Sequence, residues 1–402
     1  MREFSRRNIF GLGVGAAAAL SVTGCSSSGS SGSSGKVGTK PGQTTQAKPI
    51  GDGSTAYTGK QPNQPPAPEK LEPGQKPPQF VVFSWDGAGD VGDGLFPRFR
   101  KLAKEHNAAM TFFFSGLYAL PESKRRLYRP PNNPVGASDI DFLTDEHIKA
   151  TLKNLRAAWL EGHEIGTHFN GHFGGTGPGS VAHWKPAQWE SEIQQAMDFV
   201  TKWRTNTGFT DLDPLPFDYS KELVGGRTPQ LLGQPNLLPT ARKLGWRYDS
   251  SSPGGLQVWP SKKQGLWDFP LQGIPFPGHS FPVLSMDYNM AANQSPSNVT
   301  KGPPAMYPQW RKEATGAYIT GFKRAYETNR APLFIGNHFE KWNGGIYMDA
   351  VEDALKYMAD GTHKDVRLVS FRQLCDWLDA QDPQVLAGLR GLGVGQKFTG
   401  RG

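Results

Sequence analysis

Cysteine is almost absent: the 402 residues contain 2, Cys25 and Cys375. That excludes a disulfide-stapled scaffold and a cysteine-rich zinc domain. Long apolar runs are also missing. The stretch Ile9 to Leu20 is short of the ~20 residues that span a bilayer and is rich in Gly and Ala. No internal repeat is visible, which argues against a solenoid or propeller. The net charge is +8, but residues 1 to 78 hold nine Lys or Arg against four Asp or Glu, leaving only +3 for residues 79 to 402. Such a balance lacks the concentrated positive field of a nucleic-acid binder. What remains is a chain whose later part, roughly 300 residues, is long enough to bury its own core.

The N-terminus has the build of an export signal over residues 1–25: a charged start, an apolar middle and a small-residue end. Ser5-Arg6-Arg7-Asn8-Ile9-Phe10 resembles the twin-arginine signal, and Val22-Thr23-Gly24-Cys25 resembles a lipoprotein cleavage box. On that reading Cys25 carries a lipid that holds the protein to the outer face of the cytoplasmic membrane, in the cell envelope. A plain secretory signal with an incidental Cys is the alternative. Residues 26–78, rich in Ser and Gly and then in Pro, Gln and Lys, read as a disordered tether. Cys375 sits in "QLCDWL" as a small hydrophobe, so no disulfide is expected.

From residue 79 strands and helices alternate. Gln79 to Trp85, residues 108–116, 163–168, 223–229 and 332–338 read as strands, and residues 95–106, 144–162, 186–208, 313–329 and 348–361 as helices. Residues 236–252 read as a helix leading into another strand and loop, and 366–381 as a final strand and helix. Thr144 caps a helix with acids in its first turn, and Gly162 stops it. Residues 253–312 resist assignment. This order predicts an α/β fold of parallel βαβ units, a barrel or incomplete barrel of about seven strands over residues 79–381, with 382–402 as a tail. In such folds chemistry gathers just past the strand ends, where Asp86, His168, Arg227 and His338 stand.

Two stretches carry the candidate chemistry. In "VVFSWDGAGD" an apolar strand ends in Asp86, then Gly87, Ala88, Gly89 and Asp90; the acid is either reactive or simply part of a turn. In "GHEIGTHFNGHF" His168 and His172 lie four apart, a spacing that on a helical turn puts both imidazoles on one side, suited to Zn²⁺. A plain pair of surface or core histidines is the competing reading.

These segments, with "GGRTP", "GWRYDSSS", "TNRAP…NH" and "VSFRQLCDWL" in order, resemble the polysaccharide deacetylases, most closely the chitin deacetylase-like branch, from about Pro78 to Gln381. The resemblance implies a distorted (β/α) barrel with fewer than eight strands. It implies that Asp86 is the catalytic base, that Arg227 orients it and that His338 is the general acid. It also implies that His168 and His172 ligate a divalent metal, zinc or alternatively cobalt, manganese or nickel. Asp268 and Asp287 compete for the fourth-motif acid that binds near substrate, and Trp267 is a candidate pocket wall.

The departure lies at Gly87, which stands where the family has a metal-binding acid. Asp90 either folds back to complete the metal site or is a solvated loop acid. The implied activity is removal of N-acetyl groups from a cell-wall or chitin-like polysaccharide; a catalytically impaired glycan-binding lipoprotein is the other expectation, and no nucleic-acid partner is expected.

Overall fold

The computed structural model describes residues 47–400; the export signal, Cys25 and residues 26–46 lie outside the described residues. The strands in chain order are β1 (Lys48–Ile50), β2 (Thr55–Tyr57), β3 (Gln79–Asp86), β4 (Met110–Phe114), β5 (Glu164–Thr167), β6 (Tyr248–Asp249), β7 (Pro253–Gly254), β8 (Ser261–Lys263), β9 (Leu266–Asp268), β10 (Leu271–Pro275), β11 (Pro282–Leu284), β12 (Leu333–His338) and β13 (Val366–Leu368). The helices that matter below are α1 (Leu95–Glu105), α2 (Asp145–Leu160), α3 (Pro186–Thr201), α4 (Trp203–Thr207), α5 (Tyr219–Glu222), α6 (Gln234–Lys243), α7 (Asp287–Gln294), α8 (Tyr307–Glu327), α9 (Ile346–Ala359), α10 (Phe371–Ala380) and α11 (Pro383–Gly391).

The centre is a five-stranded parallel sheet in the order β12-β3-β4-β5, with β13 also paired to β3. Strands buried on both faces must be apolar along their whole length, and all eight residues of β3 are buried. Helices supply the cover. Thr144 caps α2 by accepting from the His147 N–H at 3.2 Å, and Ser370 and Gln373 form a reciprocal capping box on α10.

Beyond β5 the central sheet ends, and two small three-stranded sheets, β11-β10-β7 and β6-β9-β8, carry the path on with isolated backbone bonds between them. Arg227 N–H donates to the Thr167 carbonyl at 3.0 Å, and Ser250 N–H to Gly226 at 3.0 Å. Leu271 N–H donates to Ser252 at 2.9 Å, Ser285 N–H to Gln272 at 2.9 Å, and Gly336 N–H to Ser285 at 2.9 Å. This path of backbone bonds returns to β12. The stretch 223–229, expected as a strand, forms no named strand but an isolated bridge from Gly226 to Thr167 and backbone bonds to Arg247, Tyr248 and Ser250, and Gly225 and Gly226 are needed there because a Cβ would stand 2.3 Å from the Tyr248 ring and 2.7 Å from the Thr167 carbonyl.

Two expected boundaries are corrected. The segment from Lys48 to Pro78 was expected to be disordered tether, yet it is laid along the body. Gln61 donates its amide to the carbonyls of Trp159 and His163 at 2.9 and 2.6 Å, and Leu71 N–H donates to Gln381 at 2.8 Å. The β1–β2 hairpin is pinned by the Trp203 indole N–H on the Ser54 carbonyl at 2.7 Å. Polar side chains here provide hydrogen bonds that stand in for the missing apolar bulk. Residues 382–402, expected as a tail, begin with α11, whose Leu386 and Leu389 are buried against the Phe371–Trp377 cluster.

Candidate active site

Parallel pairing aligns the strand ends, and this sets the site. His338, last in β12, is the register partner of Asp86, last in β3, and Asp86 is in turn opposite Phe113 in β4. Asp86 is buried at 3% exposure. Arg227, completely buried, donates Nη1 to Asp86 Oδ1 at 2.8 Å and to Ser84 Oγ at 2.9 Å. Its other nitrogens are also committed: Nε donates to the Ser250 carbonyl at 3.1 Å and Nη2 to Ser250 Oγ at 2.8 Å. The guanidinium lies over the Phe113 ring, 4.8 Å from its centroid. A buried carboxylate with such a fixed, satisfied partner keeps one orientation.

His338, half-buried, forms the second pair with the buried Asp287. Its Nδ1 is 2.8 Å from Asp287 Oδ1, and its backbone N–H donates to Asp287 Oδ2 at 2.7 Å. Asp287 therefore grips both the ring and the main chain of one residue. Burial is the largest influence on His338 and opposes its charge, but Asp287, with Asp86 and Glu340 adding to it, outweighs burial and raises the imidazolium above its usual range. Trp342 packs its ring 5.3 Å from the His338 ring.

The third feature is the imidazole pair. The His168 Nδ1 lies 2.7 Å from the Arg227 carbonyl. A carbonyl only accepts, so this nitrogen carries the proton and the neutral ring keeps its lone pair on Nε2. The His168 and His172 rings are 5.1 Å apart between centroids, tilted by 51°. The expected helical turn between them is corrected: Phe169 and His172 have φ of +59° and +56°, so a left-handed turn brings the rings together.

The remaining candidates are placed elsewhere. Asp90 does not fold back toward the imidazoles; its carboxylate accepts from Asn154 Nδ2 at 2.6 Å and from the Gly92 N–H at 2.8 Å, while its own N–H donates to Thr151, so α2 holds it. Asp268 is engaged by Gln234, Ser252 and Lys263 at 2.8–2.9 Å rather than by His338. The Trp267 indole donates to Asp379 at 2.8 Å and sits in the cluster with Trp377 and Phe371, so it is a core residue and not a wall of this site. Asp287 and Asp268 are indistinguishable in sequence, since each follows a short apolar strand; only the tertiary pairing separates them. Ser84 and Ser250, the further partners of Arg227, were not singled out, and a serine two residues before the acid is too common a signal to have found them.

The donor set can be tested against the implied metal. Two imidazoles with one ring oriented by a carbonyl suit a divalent ion. A catalytic zinc commonly takes three protein ligands. Gly87 offers no side chain, Asp90 is committed to α2, and among the described residues no group of three His, Cys, Asp or Glu is placed to hold one ion. The residues present do not fit a three-ligand zinc centre.

No family model matches the chain, and no curated protein matches it. Solved structures do share its course. One from Mycobacterium smegmatis, provisionally assigned as a polysaccharide deacetylase, is 14% identical over 79% of this chain and 95% of its own, with a TM-score of 0.45. Another with a similar provisional assignment, from Pseudomonas aeruginosa PAO1, is 15% identical over 75% and 92%, with a TM-score of 0.43. A family 4 carbohydrate esterase from Streptomyces lividans, in complex with acetate, is 12% identical over 72% and 91%, with a TM-score of 0.34. With TM-scores below 0.5 these similarities add nothing to the chemistry, which rests on the geometry above.

Proposed function

We propose that this protein hydrolyses acetyl groups from an N-acetylated cell-wall or chitin-like polysaccharide, held outside the cytoplasmic membrane through a lipidated Cys25. The observation that supports this reading is the side-by-side placement of two ion pairs, the buried Arg227–Asp86 and the half-buried Asp287–His338, at adjoining strand ends. Amide hydrolysis needs a base for the attacking water and an acid for a poor amine leaving group. Asp86 takes a proton from water as its oxygen adds to the acetyl carbonyl. His338, kept protonated by Asp287, gives a proton to the nitrogen as the C–N bond breaks, and acetate leaves. Arg227 holds Asp86 in position but is itself too enclosed to reach substrate. No step is assigned to a metal, because the ligand set does not fit one.

The test is acetate release from N-acetylglucosamine oligomers and from peptidoglycan, with chelator and with added zinc, cobalt, manganese or nickel. Release that Asp86→Asn abolishes supports the reading; no release under any of these conditions removes it. The bare Gly87 and the commitment of Asp90 to α2 favour a second reading, a glycan-binding protein without turnover. Oligosaccharide affinity unaltered by Asp86→Asn, together with no acetate release, would establish that one.

A further inference from the structure

The chemistry above leaves unused a buried carboxyl beneath the loop that joins the two imidazoles. Glu192, on α3, is 1% exposed. Its Oε1 accepts from the Asn170 N–H at 3.0 Å and from the Tyr128 hydroxyl at 3.0 Å. The Tyr128 oxygen in turn accepts from the Gly171 N–H at 3.1 Å. The Asn170 side-chain amide donates to the Glu192 carbonyl at 3.0 Å. Two successive N–H groups between His168 and His172 are thus tied to one carboxyl, the first directly and the second through a phenol. Gly171 makes the close approach possible, since a Cβ there would stand 2.8 Å from the Tyr128 hydroxyl.

This attachment has work to do. Left-handed backbone is disfavoured for residues other than glycine, and Phe169 and His172 are both held there. Left unrestrained, the turn would relax and carry the His172 ring away from His168. We propose that Glu192 and Tyr128 are positioning residues that hold this turn left-handed and so set the spacing and tilt of the two imidazoles. The proposal rests on the reading that the imidazole pair belongs to the functional site, but its test does not depend on turnover.

Burial is the main cause that pushes Glu192 up to about 7, against the hydrogen bonds from Asn170 and Tyr128. The Asn170 bond falls on Oε1, while the Tyr128 hydroxyl lies within reach of both carboxyl oxygens, at 3.0 and 3.1 Å; Glu192→Gln therefore keeps an oxygen for both, whereas Glu192→Ala keeps none and Tyr128→Phe cuts only the link to Gly171. The measurement is the nuclear Overhauser cross-peak between the His168 and His172 rings in histidine-labelled full-length protein. The cross-peak should be present in the wild type, retained in Glu192→Gln, and weakened at least twofold in Tyr128→Phe and Glu192→Ala. A missing cross-peak in the wild type, or wild-type strength in Tyr128→Phe, overturns the proposal. Should Glu192→Ala fail to fold, Tyr128→Phe decides alone. Loss of the cross-peak with no acetate release by the wild type would remove the deacetylase reading and leave the clamp standing; an unchanged cross-peak with normal release would do the reverse.

Discussion

The two halves of the candidate site are built to different standards. On the β3–β12 side every functional group has a charged partner: Asp86 has Arg227 and His338 has Asp287, each pair at 2.8 Å. On the β5 side two imidazoles meet across a left-handed turn, and among the described residues no group of three His, Cys, Asp or Glu is placed to hold one ion. On the proposed reading the proton-moving half is complete while the ion-holding half is partial. A site can therefore retain the more expensive part of its electrostatics, the buried ion pairs, while lacking the feature that would normally recruit a metal.

Four experiments would break or sharpen this contrast. The largest effect is expected from Asp86→Asn, which removes the base; acetate release should fall by ~10²–10⁴, measured by a coupled acetate assay, and a smaller loss would mean the complete half is not where the chemistry occurs. Next is Arg227→Met, which leaves Asp86 as an uncompensated buried charge. Unfolding by urea should show a loss of ~3–5 kcal/mol, whereas His172→Ala, which strands no buried charge, should cost far less. Third, Gly87→Asp supplies the missing acid at a φ of +59°, a conformation Asp tolerates better than most residues. Calorimetry should show zinc bound at least about tenfold more tightly, or about 1.4 kcal/mol; no gain would mean that position 87 does not face the imidazoles. The smallest and most specific is Asp287→Asn. Because Asp287 raises His338, the proton is kept to higher pH in the wild type and is lost as pH rises through that raised value. The variant's activity should therefore decline at lower pH on the alkaline side, and an unshifted limb would rule His338 out as the acid.

Buried groups outside the site set a pH limit of their own. Burial, aided by the nearby Arg100, holds His163 down at about 3. Its folded value lies below the unfolded one, so it binds a proton more readily when unfolded, and its neutral burial costs stability as pH falls below about 6.5 towards 3.

Sequence alone located the strand ends well, for a physical reason. A strand buried on both faces must be largely apolar, so the first titratable residue after Val81–Val82–Phe83 and after Leu333–Phe334–Ile335 is conspicuous, and this is how Asp86 and His338 stood out. The cap at Thr144 was legible because capping is a local interaction. What depended on distant partners was not legible. The glutamines of the 47–78 segment look like linker composition until their amides find carbonyls at Trp159, His163 and Gly162. Asp268 and Asp287 look alike until one meets Gln234 and the other His338. The four-residue histidine spacing was read as helical because spacing says nothing about the sign of φ; the asparagine and glycine inside it, Asn170 and Gly171, were the available hint of a turn.

The glutamine-bearing segment has a geometric consequence. Gln61 and Gln64 dock on residues that precede β5, whereas Asp86 and His338 are the last residues of β3 and β12 and His168 directly follows β5. After its hairpin the segment thus crosses the entry end of the central strands, and the candidate groups at their exit end stay clear of it, so a long polymer approaching there would not meet this strap.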